Sequence, residues 1–315
     1  MTHHISVTET VARDDMRGFA RLLTKLENGD EALMDGINHD FEKLGHAYRI
    51  GVTGPPGAGK SSLVTMMAKR LRELGKTVGI IAVDPSSPFS GGALLGDRIR
   101  MQILGGDRGV FIRSMASRGA SGGLAHGVDA AADLFDLFGF NFVLLETVGV
   151  GQSELEVARC ADTTLVVLVP QSGDSIQGMK AGLMEIADIF VMNKSDAEGT
   201  ERATQQLQSA MSLKMWDIWT PPVMNTIATE NKGIEELIDT IREHRKVLDD
   251  AGELKKRRDL RFARRLRALL SERVERELWA DGRESALLEG IASRQEPHKI
   301  VEELYRSFRG NGNVR

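Results

Sequence analysis

Short apolar runs separated by stretches of helical periodicity occupy the middle of the chain. Seven of these runs predict strands: Arg49–Thr53, Val78–Asp84, Val110–Arg113, Phe142–Glu146, Thr164–Val169, Ile189–Asn193 and Val223–Ile227. Several are almost continuously Val, Ile and Leu, which is typical of strands covered on both faces. Strands that alternate with helical patterns predict βαβ units and a doubly wound, mostly parallel sheet. The predicted fold class is therefore α/β.

The residues before this region have a purely helical pattern. Phe19, Leu22, Leu23 and Leu26 recur at helical spacing, and Asn28-Gly29 is a plausible C-terminal stop. We interpret residues 14–46 as an appended pair of helices that packs on the core of the sheet.

The residues after the sheet region change in character. Between Leu254 and Arg276 there are ten Lys or Arg residues and three acidic residues. An apolar stripe runs along this segment and two residues beyond it: Leu260, Ala263, Leu266, Leu270, Val274 and Leu278. This pattern predicts an amphipathic helix with a basic outer face. Pro297 separates it from a short terminal helix, Lys299–Phe308.

These patterns divide the chain into three parts. We expect a helical extension at residues 1–46, a sheet domain at 47–245 and a helical arm at 246–315. A nucleic acid or a membrane surface could use the basic helix, but aromatic side chains for base stacking are nearly absent from it. A solvated face or an arm that binds protein is the favoured interpretation.

Composition narrows the function classes. The chain has 315 residues with 41% hydrophobic residues, and its net charge of −4 gives no reason to expect nucleic acid. One cysteine, Cys160, excludes an internal disulfide and a multi-cysteine metal site. No apolar run approaches the roughly 18 residues that a membrane span needs, and residues 1–13 lack a signal-peptide core. These features predict a cytoplasmic protein.

A phosphate-binding loop follows the first predicted strand. The pattern G-x-x-x-x-G-K-[ST] is matched by Gly54, Pro55, Pro56, Gly57, Ala58, Gly59, Lys60 and Ser61. The glycines let backbone N–H groups turn towards phosphates, and a helix beginning near Lys60 adds a favourable field for anions. Lys60 is expected to reach the β and γ oxygens, and Ser61 to ligate Mg²⁺. Ser62 lies beside the phosphates at the helix start.

The base is predicted to be guanine. Asn193-Lys194-Ser195-Asp196 ends another predicted strand and matches the N-K-x-D arrangement. The Asp196 carboxylate can accept from two guanine donors, whereas adenine would leave it unpaired. Lys194 can lay its aliphatic stem over the base, and Asn193 can tie neighbouring loops together. Thr226 to Ala228 follow the next strand and can supply a backbone N–H to the guanine oxygen.

Acidic residues at two further strand ends suggest a metal site. Glu146 ends an apolar strand and is expected to bind Mg²⁺, while the Gly149 N–H can sense the γ-phosphate. Asp84 and Asp97 could face the metal or the attacking water. The Ser- and Gly-rich residues between them, 86–95, have the composition of a mobile switch.

Hydrolysis of GTP is expected to be slow in the isolated protein and to be accelerated by contacts with a partner or within a dimer. Ras-like GTPases carry a water-positioning glutamine just after the switch glycine, but Val150 occupies that position here. Gln152 lies two residues further on.

Four strings of residues resemble the MeaB/ArgK/MMAA family of P-loop GTPases. They are Val83–Ser87, Leu95–Met101, Glu146–Glu154 and Gly173–Gly178. The resemblance extends over residues 17–244 and more loosely over the C-terminal arm. Ile227 departs from the family, whose members usually carry a small hydroxyl residue there.

The resemblance implies a chaperone of adenosylcobalamin-dependent acyl-CoA mutases that binds GTP, GDP and Mg²⁺. It implies that such a protein gates cofactor loading, protects or reactivates the mutase, and dimerises through its C-terminal arm. Asp84, Asp97 and Glu146 would serve the metal and hydrolysis site. Residues 171–180 would form a third switch towards the mutase, and the partner-facing side chains would include Gln152, Asp174, Gln177 and Lys180. A cobalamin adenosyltransferase is a further partner to consider.

Two other functions compete with this one. A nickel-inserting GTPase would share the metal strand and the sheet plan, but such proteins usually carry His-rich tracts or paired cysteines, and the seven histidines here are scattered. A small-molecule or protein kinase would need a catalytic base and an acceptor pocket, which the sequence does not reveal. Among mutases, the methylmalonyl-CoA, isobutyryl-CoA and 2-hydroxyisobutyryl-CoA enzymes are all possible clients.

Overall fold

The computed structural model describes residues 7, 11–12, 15–84, 104, 106–116, 123–147, 153–170, 181–279 and 282–311. The chain forms two compact units, Met1–Arg261 and Phe262–Arg315. In the described residues of the first unit, seven strands form one sheet: β1 Tyr48–Thr53, β2 Val78–Asp84, β3 Val110–Ala116, β4 Phe142–Thr147, β5 Thr163–Leu168, β6 Ile189–Asn193 and β7 Val223–Thr226.

The strand order is β3-β2-β4-β1-β5-β6-β7, and each neighbouring pair is parallel. The predicted α/β fold with a doubly wound sheet is therefore confirmed. Each predicted strand agrees with an observed one to within three residues at either end. Ile227, predicted to end the last strand, instead pairs antiparallel with Lys232.

Helices connect the strands and flank the sheet. In chain order they are α1 Met16–Glu27, α2 Glu31–His39, α3 Lys60–Glu73, α4 Gly123–Leu137, α5 Ser153–Cys160, α6 Ala181–Ile186, α7 Thr200–Ser212, α8 Ile234–Asp250, α9 Glu253–Trp279, α10 Arg283–Ala292 and α11 Pro297–Asn311. Short 3-10 turns lie at Asp40–Lys43 and Ala228–Glu230. No helix of the described residues is long and apolar enough to cross a membrane.

Each face of the sheet is covered by its own group of helices. On one face, α3 and α8 pack against alternate residues such as Val52 and Leu144. On the other face, α1, α2, α4 and α5 pack against the intervening residues, such as Val143 and Leu145. Because side chains alternate between faces along a strand, this division follows from the apolar runs in the sequence.

The N-terminal helices pack on the sheet domain, as predicted. Phe19 of α1 is completely buried among four other phenylalanines with ring centroids 4.6–5.7 Å away: Phe111, Phe135, Phe138 and Phe140. Asp15 and Asp30 cap α1 and α2 by accepting backbone N–H groups of Gly18 and Leu33. Burial of an aromatic cluster makes this extension part of the core.

Buried aspartates precede two central strands, at the edge opposite the strand ends that carry the sequence motifs. Asp162 precedes β5 and accepts the Arg49 N–H at 3.0 Å, and Asp188 precedes β6 and accepts the Thr164 N–H at 2.8 Å. Arg257 donates to both oxygens of Asp188, at 2.9 and 3.0 Å. Arg258 donates to Asp162 at 2.9 Å. These charged hydrogen bonds fasten the first turns of α9 to the sheet.

The pairing of these arginines shows that part of the basic face predicted for this helix is turned towards the sheet. Arg257, Arg258 and Arg261 are only partly exposed and bind the aspartates, because a helix presents positions three and four apart on one side. Much of the predicted apolar stripe is exposed to solvent, with Leu266 and Leu270 50% and 64% exposed.

A buried chain of hydrogen bonds adjoins the same aspartates. The Tyr48 hydroxyl lies 2.6 Å from Thr163 Oγ1, which lies 2.8 Å from His244 Nδ1. His244 Nε2 is 3.3 Å from Asp188 Oδ1. Tyr48, Thr163 and His244 are all 0% exposed. Burial and the neighbouring charges raise the pKa of Tyr48, so this side chain stays a neutral hydrogen-bonding group.

The protonation of Asp162 sets a pH dependence of stability. Burial alone would raise its pKa, but Arg261 and Arg258 lower it from the ordinary 3.8 to about 2. A pKa depressed in the folded state gives stability that is present above about pH 4 and lost as the pH falls towards 2. A side chain at position 162 that cannot ionise makes no such contribution to stability.

We expect Asp162→Asn to lower the free energy of unfolding at pH 7 by about 3–5 kcal/mol, because two arginines lose their buried partner. The variant should also lose less stability than the wild type between pH 4 and pH 2. Urea denaturation across this pH range measures both effects. Asp259→Asn, which removes an exposed pair with Lys255, is the matched control. Equal losses in the two variants would contradict the prediction.

Candidate functional site

The strand ends that carry the predicted site residues meet at one edge of the sheet. β1 lies between β4 and β5, and β6 and β7 follow beyond β5. Because all these strands are parallel, the residues after β1, β4, β6 and β7 emerge on the same side. Ligands of doubly wound sheets bind at this edge.

The phosphate loop has the backbone conformation that its glycines predict. Gly54, Gly57 and Gly59 have φ values of 137°, 77° and 87°. A Cβ on Gly54 would lie 2.1 Å from the Val167 carbonyl oxygen, so no larger residue fits there. Helix α3 begins at Lys60, directly after the loop. The first N–H groups of α3 therefore lie at the loop, as an anion site requires.

Lys60 is folded back over this loop. Its Nζ donates to the carbonyl oxygens of Gly54 at 2.8 Å and Pro55 at 2.9 Å, and the residue is only 5% exposed. A buried ammonium held at a helix N-terminus gives the loop concentrated positive charge. This arrangement suits a polyphosphate.

Asn193 joins the loop after β6 to the phosphate loop. Its Nδ2 donates to the Ala58 carbonyl at 2.8 Å, and its Oδ1 accepts from Thr226 Oγ1 at 3.1 Å and from the Ala228 N–H at 3.2 Å. The side chain is buried. A Cβ on Gly59 would lie 2.3 Å from Asn193 Nδ2, so glycine at this position lets the amide approach.

Lys194 and Asp196 flank this bridge at the surface. Lys194 adopts a left-handed backbone with φ of 56°, and its Nζ donates to the Gly57 carbonyl at 2.9 Å. Asp196 is exposed. Lys232 pairs with Glu230 at 2.7 Å, and Glu230 first, and Asp196 to a smaller extent, raise the pKa of Lys232.

The residues of the loop after β7 that are predicted to contact the base hydrogen-bond to the loop after β6 in the structure. The Ala228 N–H and the Thr226 hydroxyl both donate to Asn193, and the Thr226 carbonyl accepts the Ser195 N–H at 3.1 Å. In the structure these groups hold the two loops together. The sequence led us to expect that Asn193 ties neighbouring loops together, but only the folded chain, which brings β6 and β7 side by side, shows that Thr226 and Ala228 are its partners.

Ser61 and Glu146 meet beside the phosphate loop. Ser61 Oγ donates to Glu146 Oε1 at 2.5 Å, and Glu146 is 6% exposed. A hydroxyl and a carboxylate are hard oxygen donors of the kind that Mg²⁺ takes alongside phosphate oxygens and water. These residues therefore fit a magnesium ion. Within the described residues, no group of three or more His, Cys, Asp or Glu side chains forms a metal cluster.

Several of the predicted site residues lie partly or wholly outside the residues that the structure describes. Asp84 ends β2, which pairs with β4, but its side chain lies outside the description. Ser62 is half-buried in the first turn of α3. The remaining predicted positions fall outside the described residues: Asp97, Gly149, Val150, Gln152, Asp174, Gln177 and Lys180.

Two residues at this edge escaped the sequence analysis. Thr147 Oγ1 donates to Thr53 Oγ1 at 3.2 Å, and both threonines are 0% exposed. The available signal was a hydroxyl residue at the end of each of two otherwise apolar strands.

The family model and the relatives that match this sequence are described as GTPases. The sequence model of the family described as "Methylmalonyl Co-A mutase-associated GTPase MeaB" matches residues 19–283. A putative GTPase of Pyrococcus abyssi is 49% identical over 84% of this chain and 82% of its own length. GTPase ArgK of Escherichia coli is 38% identical over 79% of this chain and 76% of its own.

Two further matches are a mitochondrial protein of the mouse and a solved structure. The mouse "Methylmalonic aciduria type A homolog, mitochondrial" is 38% identical over 72% of this chain and 56% of its own. A crystal structure of "LAO/AO transport system kinase" superposes with a TM-score of 0.69, at 28% identity, over 94% of both chains.

We expect Asn193→Ala to lower the free energy of unfolding by about 1–3 kcal/mol, because it leaves the buried Ala58 carbonyl and Ala228 N–H without their partner. Asn225→Ala, an exposed position on β7, is the matched control and should change stability by less than about 0.5 kcal/mol. Urea denaturation of the nucleotide-free proteins measures both. A loss no greater than that of the control would show that the bridge does not stabilise the fold.

Proposed function

Since the chain belongs to the MeaB family of methylmalonyl-CoA mutase-associated GTPases, we propose that it is a GTP-hydrolysing chaperone of an adenosylcobalamin-dependent acyl-CoA mutase. In this role it gates cofactor loading and protects or reactivates the mutase. The observation that carries the proposal is the bonding of Asn193 and Lys194 to phosphate-loop carbonyls. That bonding supports a single site for a guanine base and its phosphates.

Guanine selection is assigned to Asp196. Its exposed carboxylate follows the two residues that are fastened to the phosphate loop, so its position relative to the phosphates is constrained. An ionised carboxylate accepts two hydrogen bonds from guanine and would face no donor on adenine in that geometry. The stem of Lys194 covers the base.

Phosphate binding and hydrolysis are assigned to the other side of the site. Lys60 would move its ammonium from the Gly54 and Pro55 carbonyls to phosphate oxygens, which are stronger acceptors. Ser61 and Glu146 would hold Mg²⁺, with Asp84 and Asp97 as further candidates. The ion supplies positive charge that stabilises the transferring phosphoryl group. Gly149 would sense the γ-phosphate.

The client is proposed from the family description, which names methylmalonyl-CoA mutase, and from the mouse relative's name. Hydrolysis is proposed to be slow until the client binds, because Val150 stands where a water-positioning glutamine is expected. Gln152, Asp174, Gln177 and Lys180 are proposed to face the client. A cobalamin adenosyltransferase would be a further partner.

The second unit supports a proposal of homodimerisation. Leu266, Leu270 and Val274 recur every four residues along α9 and are 42–64% exposed. Val301 and Tyr305 of α11 are also more than half exposed. Apolar side chains at such spacing on uncovered helices are suited to packing against another helix. A second copy of this chain is the proposed occupant.

Asp196→Ala should weaken GDP binding at least about a hundredfold and leave GDP and ADP nearly equal, because two charge-assisted hydrogen bonds are lost. Glu198→Ala removes an exposed acid two residues away and should keep the preference for GDP. Calorimetric titration of each protein with both nucleotides provides the measurement. An unchanged preference in Asp196→Ala would refute the base assignment, and wild-type preference for ADP would favour a kinase.

Affinity capture from a native extract tests the client. The protein loaded with a non-hydrolysable GTP analogue should retain an adenosylcobalamin-dependent mutase, and Lys60→Ala should retain less of it. Adding that mutase should raise a turnover that is below about 1 s⁻¹ for the protein alone, at the low end of the range for enzymes. Capture of a nickel enzyme, or faster unaided turnover, would count against the proposal.

A further inference from the structure

Two buried threonines end the strands that carry the phosphate loop and the metal-side carboxylate. Thr53 ends β1 and directly precedes Gly54, and Thr147 ends β4 and directly follows Glu146. Neither side chain has any exposed surface, and the Thr147 hydroxyl donates to the Thr53 hydroxyl at 3.2 Å. The other described residues at these two strand ends are the apolar Val52 and Leu145 and the candidate metal-binding residue Glu146.

Thr53 and Thr147 lie one residue beyond the last residues of β1 and β4 that pair with each other. β1 and β4 are parallel neighbours, with Val52 opposite Glu146. Thr53 and Thr147 are the next residues on each strand and lie side by side. Their hydroxyls therefore join the two strands where the ladder ends.

Thr147 and Glu146 point to opposite faces of the sheet, because side chains alternate along a strand. Glu146 faces α3, where it accepts from Ser61. The other face of β1 is lined by α5, since a Cβ on Gly51 would lie 3.4 Å from Val157 Cγ1. Thr53 and Thr147 share that face. The end of β4 is thus tied to the phosphate-loop region from both sides.

We propose that Thr147 is a positioning residue for GTP hydrolysis, acting through its hydrogen bond to Thr53. The proposal rests on the proposed GTPase function. The hydrogen bond holds the last residue of β4 beside the last residue of β1. The residues that the sequence analysis expects to contact the γ-phosphate come directly after Thr147 in the chain. The binding of GDP, which has no γ-phosphate, would not depend on that contact.

A directional contact explains why hydroxyls occupy these positions. Buried strands covered on both faces are normally Val, Ile and Leu, and burying a hydroxyl is unfavourable unless it is hydrogen-bonded. Apolar contact is non-directional, so two valines would fill the space without fixing the strand ends relative to each other. The hydroxyl pair supplies an orientation that packing does not.

Four variants test this: Thr147→Val, Thr53→Val, the double valine variant and Thr147→Ser. Thr147→Val should lower kcat for GTP about tenfold with KM and GDP affinity nearly unchanged, the effect of one lost hydrogen bond. Thr147→Ser keeps the hydroxyl and should stay within about twofold of the wild type. An unchanged kcat in Thr147→Val would overturn the proposal.

The double variant separates positioning from stability. Replacing both partners by apolar groups of the same shape is nearly neutral for folding, whereas each single variant leaves a hydroxyl without its partner. We therefore expect the midpoint of urea unfolding to recover in the double variant while kcat stays low. Recovery of kcat together with stability would show that the pair is merely structural.

The wild type and Lys60→Ala distinguish this proposal from the one on which it rests. If the wild type does not hydrolyse GTP, or Lys60→Ala is as fast as the wild type, the proposed GTPase site is wrong. If Lys60→Ala is slow and Thr147→Val is as fast as the wild type, only the role of Thr147 is wrong.

Discussion

The side-chain amide of Asn193 holds together the two loops on which the rest of the site depends. It donates to the Ala58 carbonyl and accepts from Thr226 and Ala228, all in a buried environment. These bonds connect the strand that carries the phosphate loop with two strands further along the sheet. Since a buried amide without partners is costly, the loops are held at a fixed separation. That separation determines the distance between the loop that carries Asp196 and the loop that carries Lys60.

The opposite edge of the sheet is organised by charge. Asp162 and Asp188 precede adjacent strands, accept backbone N–H groups and bind arginines from the start of α9. These pairs join neighbouring strands at the edge of the sheet where β5 and β6 begin. The fold thus places these buried ion pairs at one edge of the sheet and the phosphate loop and the N-K-x-D motif at the opposite edge.

Much of the fold could be predicted from the sequence. The apolar runs located all seven described strands, and the pattern around Phe19 located the helices that pack on the sheet. The phosphate loop and N-K-x-D could be found because both are short local strings whose chemistry depends on adjacent residues. The helix Arg283–Ala292 was missed. The inward arginines of α9 were also missed, because a basic residue has the same pattern whether it faces water or a buried aspartate.

The sequence by itself determined the strands, the phosphate loop, the N-K-x-D motif and the family resemblance. Only the tertiary structure decided the strand order, and with it the distant residues that come into contact. It made Ala228 a hydrogen-bond partner of Asn193, and it paired Thr53 with Thr147. The physical reason is that secondary structure follows from local periodicity and turn chemistry. Hydrogen bonds across a sheet depend instead on which strands become neighbours, which no local pattern specifies.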